Sequence, residues 1–283
     1  MSRLPSAELS LPKLGLGTWR MGESRAHRPA EVAAVRRAIE IGYRMIDSAE
    51  MYGEGGAEEV VGVAVADALR AGDVRRDELT IVSKVYPHNA SRRGTVQACE
   101  RSRQRLRLDT IDLYLLHWRG EHALAETVAG MQALVAQGGI GHWGVSNFDV
   151  DDLRELSAVD SAAGCAANQV WFSLGERGAG FGVLPWLRKH GMAMMAYSPI
   201  DQGRLAAQRA VADISAPLGL SAAQLALAWV MAQPGAVAIA KAVKVDHLRD
   251  NWAAAQAVLG AETLARLDTL YPPPSRQGAL AMN

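Results

Sequence analysis

Cysteine is scarce in this chain: Cys99 and Cys165 are the only two in 283 residues, and they share no metal or redox spacing. That excludes a disulfide scaffold and fits a reduced, cytoplasmic setting. Net charge is missing as well. Thirty Lys plus Arg balance thirty Asp plus Glu, which leaves no basic stripe for a nucleic acid. No stretch approaches the ~18 charge-free apolar residues of a membrane span. The amino terminus lacks the charged segment, apolar run and cleavage site of a signal peptide. Linkers rich in Pro, Gly or Ser, low-complexity tracts and internal repeats are also absent, so 1–283 is read as a single domain. The expectation is a monomer with a small-molecule partner, no nucleic acid and no membrane.

What the chain does have is rhythm. Strand-like apolar runs near 14–18, 43–48, 79–86, 111–117, 140–146, 165–170, 192–198 and 236–241 alternate with helical patterns near 30–41, 57–70, 92–107, 122–137, 149–158, 181–190, 205–232 in two pieces, and 246–259. Strand and helix in strict alternation predict an α/β fold with a parallel sheet, and eight such units predict a (β/α)8 TIM barrel. In that fold the chemistry sits at the carboxyl ends of the strands. The first residues are expected to form a short hairpin across the barrel floor, 261–270 an extra helix, and the proline-rich tail from Pro272 a loop.

Four residues stand at three successive strand ends. Asp47 closes the second strand, and Tyr52 follows in a loop containing Gly53, Gly55 and Gly56. Lys84 lies near the end of the third strand, and His117 ends the fourth. A lysine on a buried strand is costly unless it is paired, so Asp47 is its natural counter-ion. A cation beside a phenol favours the ionised form, which predicts a Tyr52 pKa lowered from its reference of about 10. That would suit proton transfer near neutral pH.

Several motifs in one order give the chain a family resemblance. They are Gly15-Leu16-Gly17-Thr18-Trp19, the run Asp47 to Gly62, Lys84, Leu115-Leu116-His117-Trp118, Gly144-Val145-Ser146-Asn147-Phe148, Asn168-Gln169-Val170, Tyr197-Ser198-Pro199, and Lys241 to Asn251. Together they resemble the aldo-keto reductases over nearly the whole chain, on the side of bacterial reductases of methylglyoxal and similar small aldehydes. The resemblance implies an enzyme that reduces a carbonyl by hydride transfer from a nicotinamide. Tyr52 would be the general acid, tuned by Lys84 and Asp47, with His117 orienting the carbonyl. It also implies that Ser146, Asn147 and Gln169 bond the carboxamide and that Tyr197 stacks on the ring. Ser198 and the turn from Ile200 to Gly203 would lie near the pyrophosphate. Lys241, Ala242, His247, Asp250 and Asn251 would hold the adenosine end, with Thr18 and Trp19 also against the cofactor. Trp19 and Trp118 would wall the substrate pocket with Tyr52 and His117.

The chain departs from the family pattern where many members carry a hydroxyl residue after the lysine and an arginine six positions after it. Ala242 and His247 stand there instead. A 2′-phosphate thereby loses a hydroxyl and a permanent forked cation. NADPH stays favoured, with NADH the alternative, and Lys244 is a further cation in reach. The short connection after His117 and the brief tail beyond Tyr271 predict an open, permissive pocket.

Each residue also has a plainer reading. Taken alone, Asp47 reads as a loop cap, Tyr52 as a packing residue, Lys84 as a solvated strand-end charge and His117 as a core histidine; their joint placement carries the chemical reading. Trp143 and Trp171 read equally well as packing residues, and Trp229 and Trp252 as structural. Gly15 and Gly17 imitate a dinucleotide fingerprint without its third glycine or its helix, and the glycines after Tyr52 lack a Gly-Lys-Ser/Thr ending. Those glycines are read as letting the loop fold beneath Tyr52. His117, Glu121 and His122 lack the spacing and third ligand of a zinc site, so no metal is expected. Two rivals share the site: a sugar or diketo-acid reductase, and a cofactor-sensing protein of this fold with slow turnover. The complete quartet favours the enzyme.

Overall fold

Side-chain alternation along the strands decides what the barrel encloses. The computed structural model describes residues 9–159, 162, 164–276 and 278–282. Eight parallel strands close on themselves in sequence order: β1 Leu14–Gly17, β2 Met45–Asp47, β3 Thr80–Val85, β4 Ile111–Leu116, β5 Ile140–Ser146, β6 Cys165–Trp171, β7 Ala193–Tyr197 and β8 Ala236–Lys241. β8 returns to β1, with Leu14 opposite Ala238 and Gly17 opposite Lys241.

Successive residues of a strand point to opposite faces. Met45, Val82, Leu113, Leu115, Ala167, Met195, Val237 and Ile239 form one buried cluster, the barrel interior. Ile46, Ile81, Val85, Tyr114, Leu116 and Val145 belong instead to the larger core between strands and helices. Two residues beyond an inward residue is inward again, so Asp47 follows Met45, Lys84 follows Val82 and His117 follows Leu115. The same arithmetic turns Ser83 outward. The expected floor hairpin falls mostly on residues 1–8, outside the described residues; Leu9 and Leu11, which are not in a strand, pack against the interior cluster from below.

Around the barrel run α1 Arg28–Ile41, α2 Gly56–Ala71, α3 Arg92–Leu106, α4 Leu124–Ala136, α5 Val150–Ser157, α6 Gly178–Phe181, α7 Val183–Lys189, α8 Arg209–Ser215, α9 Ala222–Met231, α10 Val245–Ala254 and α11 Ala261–Leu270. α2 shows why the sequence folds this way. Val60, Val61, Ala64, Val65 and Ala68 fall on one face and are buried, and the helix stops at Gly72, whose φ of 76° suits a residue without Cβ. Three helices start on side-chain caps: Ser91 opens α3, Asp149 with Asp152 opens α5, and Ser221 with Gln224 opens α9.

The expected elements are present with three differences, one being that the helix expected over 246–259 ends at Ala254. β2 is three residues rather than six, because Tyr43 is turned out of the sheet and its hydroxyl donates to the Leu248 carbonyl of α10. The helix expected over 181–190 is broken at Gly182 into α6 and α7. Among the described residues no single helix is long and apolar enough to cross a membrane; residues 209–218 and 222–231 pass on length and composition only as a pair bent by 80°.

Candidate active site

The carboxyl rim of the barrel opens into a cavity of about 810 Å³. At its base lies the quartet. The Lys84 ammonium is fully buried and donates to Asp47 Oδ2 at 2.8 Å, to the Ser48 carbonyl at 2.8 Å and to the Tyr52 hydroxyl at 3.3 Å. Asp47 is held from its other oxygen by Gln169 Nε2, also at 2.8 Å. The His117 ring meets the Tyr52 ring edge-on, with centroids 5.6 Å apart. A buried cation is thereby matched by one carboxylate and two oxygen acceptors, the condition under which such a charge is tolerable.

Burial sets the proton affinities. It pushes the Tyr52 phenol up; Lys84 pulls it down by charge and hydrogen bond, and Asp47 pushes it up again, so the net direction is upward. This corrects the lowered value expected from the sequence. Proximity to a cation was read rightly, but desolvation of the phenolate outweighs it. The phenol is therefore protonated at neutral pH, as a proton donor must be. For Lys84, burial pulls down while Asp47 and Tyr52 together pull up more strongly, and the ammonium stays charged. His117 is driven well below the usual histidine value by burial and then by Lys84, so it is a neutral imidazole. Its Nδ1 is buried without a hydrogen-bond partner, which costs least when that nitrogen carries no proton. That arrangement favours the tautomer with its proton on Nε2.

Along the cavity from the quartet stand Ser146, Asn147, Gln169 and Tyr197. Ser146 Oγ donates to the Gln169 carbonyl at 2.9 Å, and Tyr197 donates to Asn147 Oδ1 at 2.9 Å. Asn147 Nδ2 donates to the His117 carbonyl and to Ser146 Oγ, with its backbone at a left-handed φ of 59°. Next comes the segment after β7, where Ser198, Asp201, Gln202 and Gly203 all have positive φ. Asp201, Gln202 and Gly203 are left-handed in a row, and the N–H groups of Asp201, Gly203 and Arg204 donate to the Ser198, Ile200 and Asp201 carbonyls, so tight turns shape the segment. Asp201 itself is turned away and buried, accepting from Trp171 Nε1 at 3.1 Å and Ser173 Oγ at 2.6 Å.

The far end holds Lys241, His247, Asp250 and Asn251. Lys241, His247 and Asp250 are exposed. Thr18 and Ala242, expected against the cofactor, lie behind the wall instead. Thr18 is fully buried with its hydroxyl and its N–H both on the Asp47 carbonyl, a clip between β1 and β2. Ala242 is buried in the core and Lys244 is not on the cavity wall. Trp19, Tyr52, His117 and Trp118 share the substrate end with Met51 and Arg20. Trp143 is core, Trp229 packs on Phe172 and Trp252 on Tyr43. Gly53 and Gly55 have φ of 56° and 91°, and a Cβ at Gly53 or Gly56 would strike the backbone at Gly22, which is why the loop under Tyr52 takes glycine.

The sequence reading missed Ser221, Gln224 and Met282 on the cavity wall. The Ser-x-x-Gln capping box was legible at 221–224, and Gln224 Nε2 reaches the Asp250 carbonyl at 3.2 Å, so the start of α9 closes the far end. Met282, from the tail, stands at the cavity wall while itself remaining exposed.

The donor set fits a dinucleotide. It offers amide groups beside the quartet, a tight backbone turn midway and a cation at the far end. A protonated phenol beside a buried ammonium, at the mouth of such a groove, defines an oxidoreductase that works on carbonyl groups. Residues 13–272 match the aldo/keto reductase family, and the chain belongs to it. It is 46% identical to methylglyoxal reductase YeaE of Escherichia coli K12, over 98% of this chain and 97% of that one. It is 32% identical to a glyoxal reductase of Bacillus subtilis, over 93% and 90% respectively. A crystal structure of an aldo-keto reductase from Klebsiella pneumoniae in complex with NADPH superposes with a TM-score of 0.91 at 46% identity, covering 96% of this chain and 95% of that one.

Proposed function

We propose that this protein is an NADPH-dependent reductase of methylglyoxal and similar small aldehydes. The observation that carries the reading is the closed Asp47–Lys84–Tyr52 chain of contacts facing a cavity walled by Trp19, Trp118 and Met51. Supporting it are the relatives named for methylglyoxal and glyoxal and the NADPH-bound neighbour.

Ser146, Asn147, Gln169 and Tyr197 would hold the nicotinamide end of NADPH, the 198–203 segment its phosphates, and Lys241, His247 and Asn251 its adenosine end. When bound, NADPH supplies the hydride. The remaining work falls to the chain's own groups. His117 Nε2–H orients the carbonyl oxygen toward Tyr52. The Tyr52 hydroxyl gives its proton to that oxygen as negative charge grows there. Lys84 stabilises the phenolate left behind, and Asp47 keeps Lys84 charged and aimed. All of this is in place before reaction, which is where most of the rate comes from.

The site is complete within one chain, in keeping with a working monomer. Cys99 and Cys165 are buried free thiols whose pKa values are pushed up to about 12 by burial, in keeping with a reducing compartment such as the cytoplasm. The test is NADPH consumption across a panel of aldehydes, ketones and aldoses at fixed pH. Methylglyoxal should exceed any open-chain-corrected aldose by about tenfold in kcat/KM, or about 1.4 kcal/mol in the transition state. An aldose that equals methylglyoxal would move the protein to sugar reduction.

A further inference from the structure

The loop that carries Tyr52 is under conformational strain. Gly53, Glu54 and Gly55 follow one another at φ of 56°, 53° and 91°. Successive left-handed residues, one of them with a side chain, persist only where neighbours fix them. Two neighbours do so here. On one side is the backbone of Gly22, within 3 Å of where a Cβ at Gly53 or Gly56 would stand. On the other is Arg105 from the last turn of α3, whose Cδ and Nε lie 2.6 Å from the position of a Gly55 Cβ. The guanidinium stem is the floor of the loop.

A long arginine makes a firm floor only if its head is fixed. Arg105 Nε donates to Glu58 Oε2 at 2.6 Å, and Glu58 is fully buried on the first turns of α2, directly after the loop. The other oxygen of Glu58 accepts from Ser83 Oγ at 2.5 Å. Ser83 precedes Lys84 on β3 and points outward where Lys84 points inward. One carboxylate thus ties the helix that follows Tyr52 to the strand that carries Lys84, and to the arginine beneath the loop. None of the three side chains lines the catalytic cavity.

We propose that Glu58, Arg105 and Ser83 act as positioning residues that set the separation between the Tyr52 hydroxyl and the Lys84 ammonium. The inference rests on the carbonyl-reductase reading for its kinetic consequence, but the contact it concerns exists without substrate. Lys84 is held by Asp47 and the Ser48 carbonyl, so it has little freedom to follow the phenol. A phenol displaced by part of an ångström then loses its cation, and misplacement on that scale costs rate steeply.

The experiment compares Arg105→Met, Arg105→Lys and Ser83→Ala with wild type in three readouts. These are kcat for methylglyoxal against pH, NADPH affinity by fluorescence quenching, and the NMR resonances of isotope-labelled tyrosine rings, with Tyr52 assigned through Tyr52→Phe. Arg105→Met should lose about tenfold in kcat, with NADPH affinity within about twofold and the alkaline limb of the profile moved to higher pH. The Tyr52 ring resonance should shift. Arg105→Lys, which keeps the pair with Glu58, should recover most of the rate, and Ser83→Ala should show a smaller change of the same kind. Should Arg105→Met fail to fold, the other two variants decide. Wild-type kcat, pH profile and ring resonance in folded Arg105→Met, or in Ser83→Ala together with Arg105→Lys where Arg105→Met does not fold, would overturn the proposal. A wild type that turns over no aldehyde, with the Tyr52 resonance still moved in the variants, would instead sink the proposed function and leave the positioning intact.

Discussion

The two ends of the cavity are built on opposite principles. At the carbonyl end the charged pair of the quartet, Lys84 and Asp47, is buried and held from several directions. Lys84 has three acceptors and Asp47 two donors. At the far end Lys241, His247 and Asp250 are exposed, on a strand end and a helix with no buried ion pair between them. Reaction geometry tolerates almost no slack, because misplacement of a proton donor is felt in the rate. Recognition of a charged group in water tolerates a good deal, because screened, mobile cations still attract it. The first end should therefore fail abruptly under substitution, and the second should only drift.

The hardest test of that contrast is Tyr52→Phe. It should lower kcat by more than about a hundredfold with NADPH affinity nearly unchanged, and near-normal turnover would remove Tyr52 from its role. Lys84→Met comes next. It strands Asp47 without its counter-ion in a buried site, so stability to denaturant should fall by about 3 kcal/mol alongside the loss of rate. A wild-type pH profile in that variant would refute the tuned phenol.

The pH dependence of stability sharpens the same point. His117 is depressed below its unfolded value of 6.5, so between its folded pKa and 6.5 the unfolded chain binds more protons. Stability is then full above pH 6.5 and is lost as pH falls through that window. Melting curves should show the decline in wild type and a flatter one in His117→Asn. Parallel curves would mean that His117 is not held neutral.

The smallest effect belongs to the far end. His247→Arg places a permanent forked cation beside the cavity and should tighten NADPH by a few-fold and NADH hardly at all, with kcat unchanged. Equal changes for both cofactors, measured by direct binding, would place His247 away from the 2′-phosphate.

The barrel was legible because strand and helix alternate without interruption, and the quartet because its members sit at strand ends with the right parity. Met45 inward makes Asp47 inward, Val82 makes Lys84 inward and Leu115 makes His117 inward. The direction of the Tyr52 shift was not legible. Its sign depends on how much water the phenol has lost, and no spacing in the sequence states that. Thr18 shows that a motif gives no account of depth: its hydroxyl is consumed by the Asp47 carbonyl. Met282 was missed because a chain path that returns from the tail to the rim leaves no periodic trace. Ser221 and Gln224 were readable as a helix start but not as a wall.

The bond from Trp171 to Asp201 has an optical consequence. An indole whose N–H is bonded to a buried carboxylate emits according to that contact, and this carboxylate belongs to the segment arching beside the cavity after β7. The protein thus carries its own fluorophore bonded to that segment. With Trp171→Phe to isolate its share of the emission, any change at that contact on adding NADPH can be read by stopped flow without attaching a label.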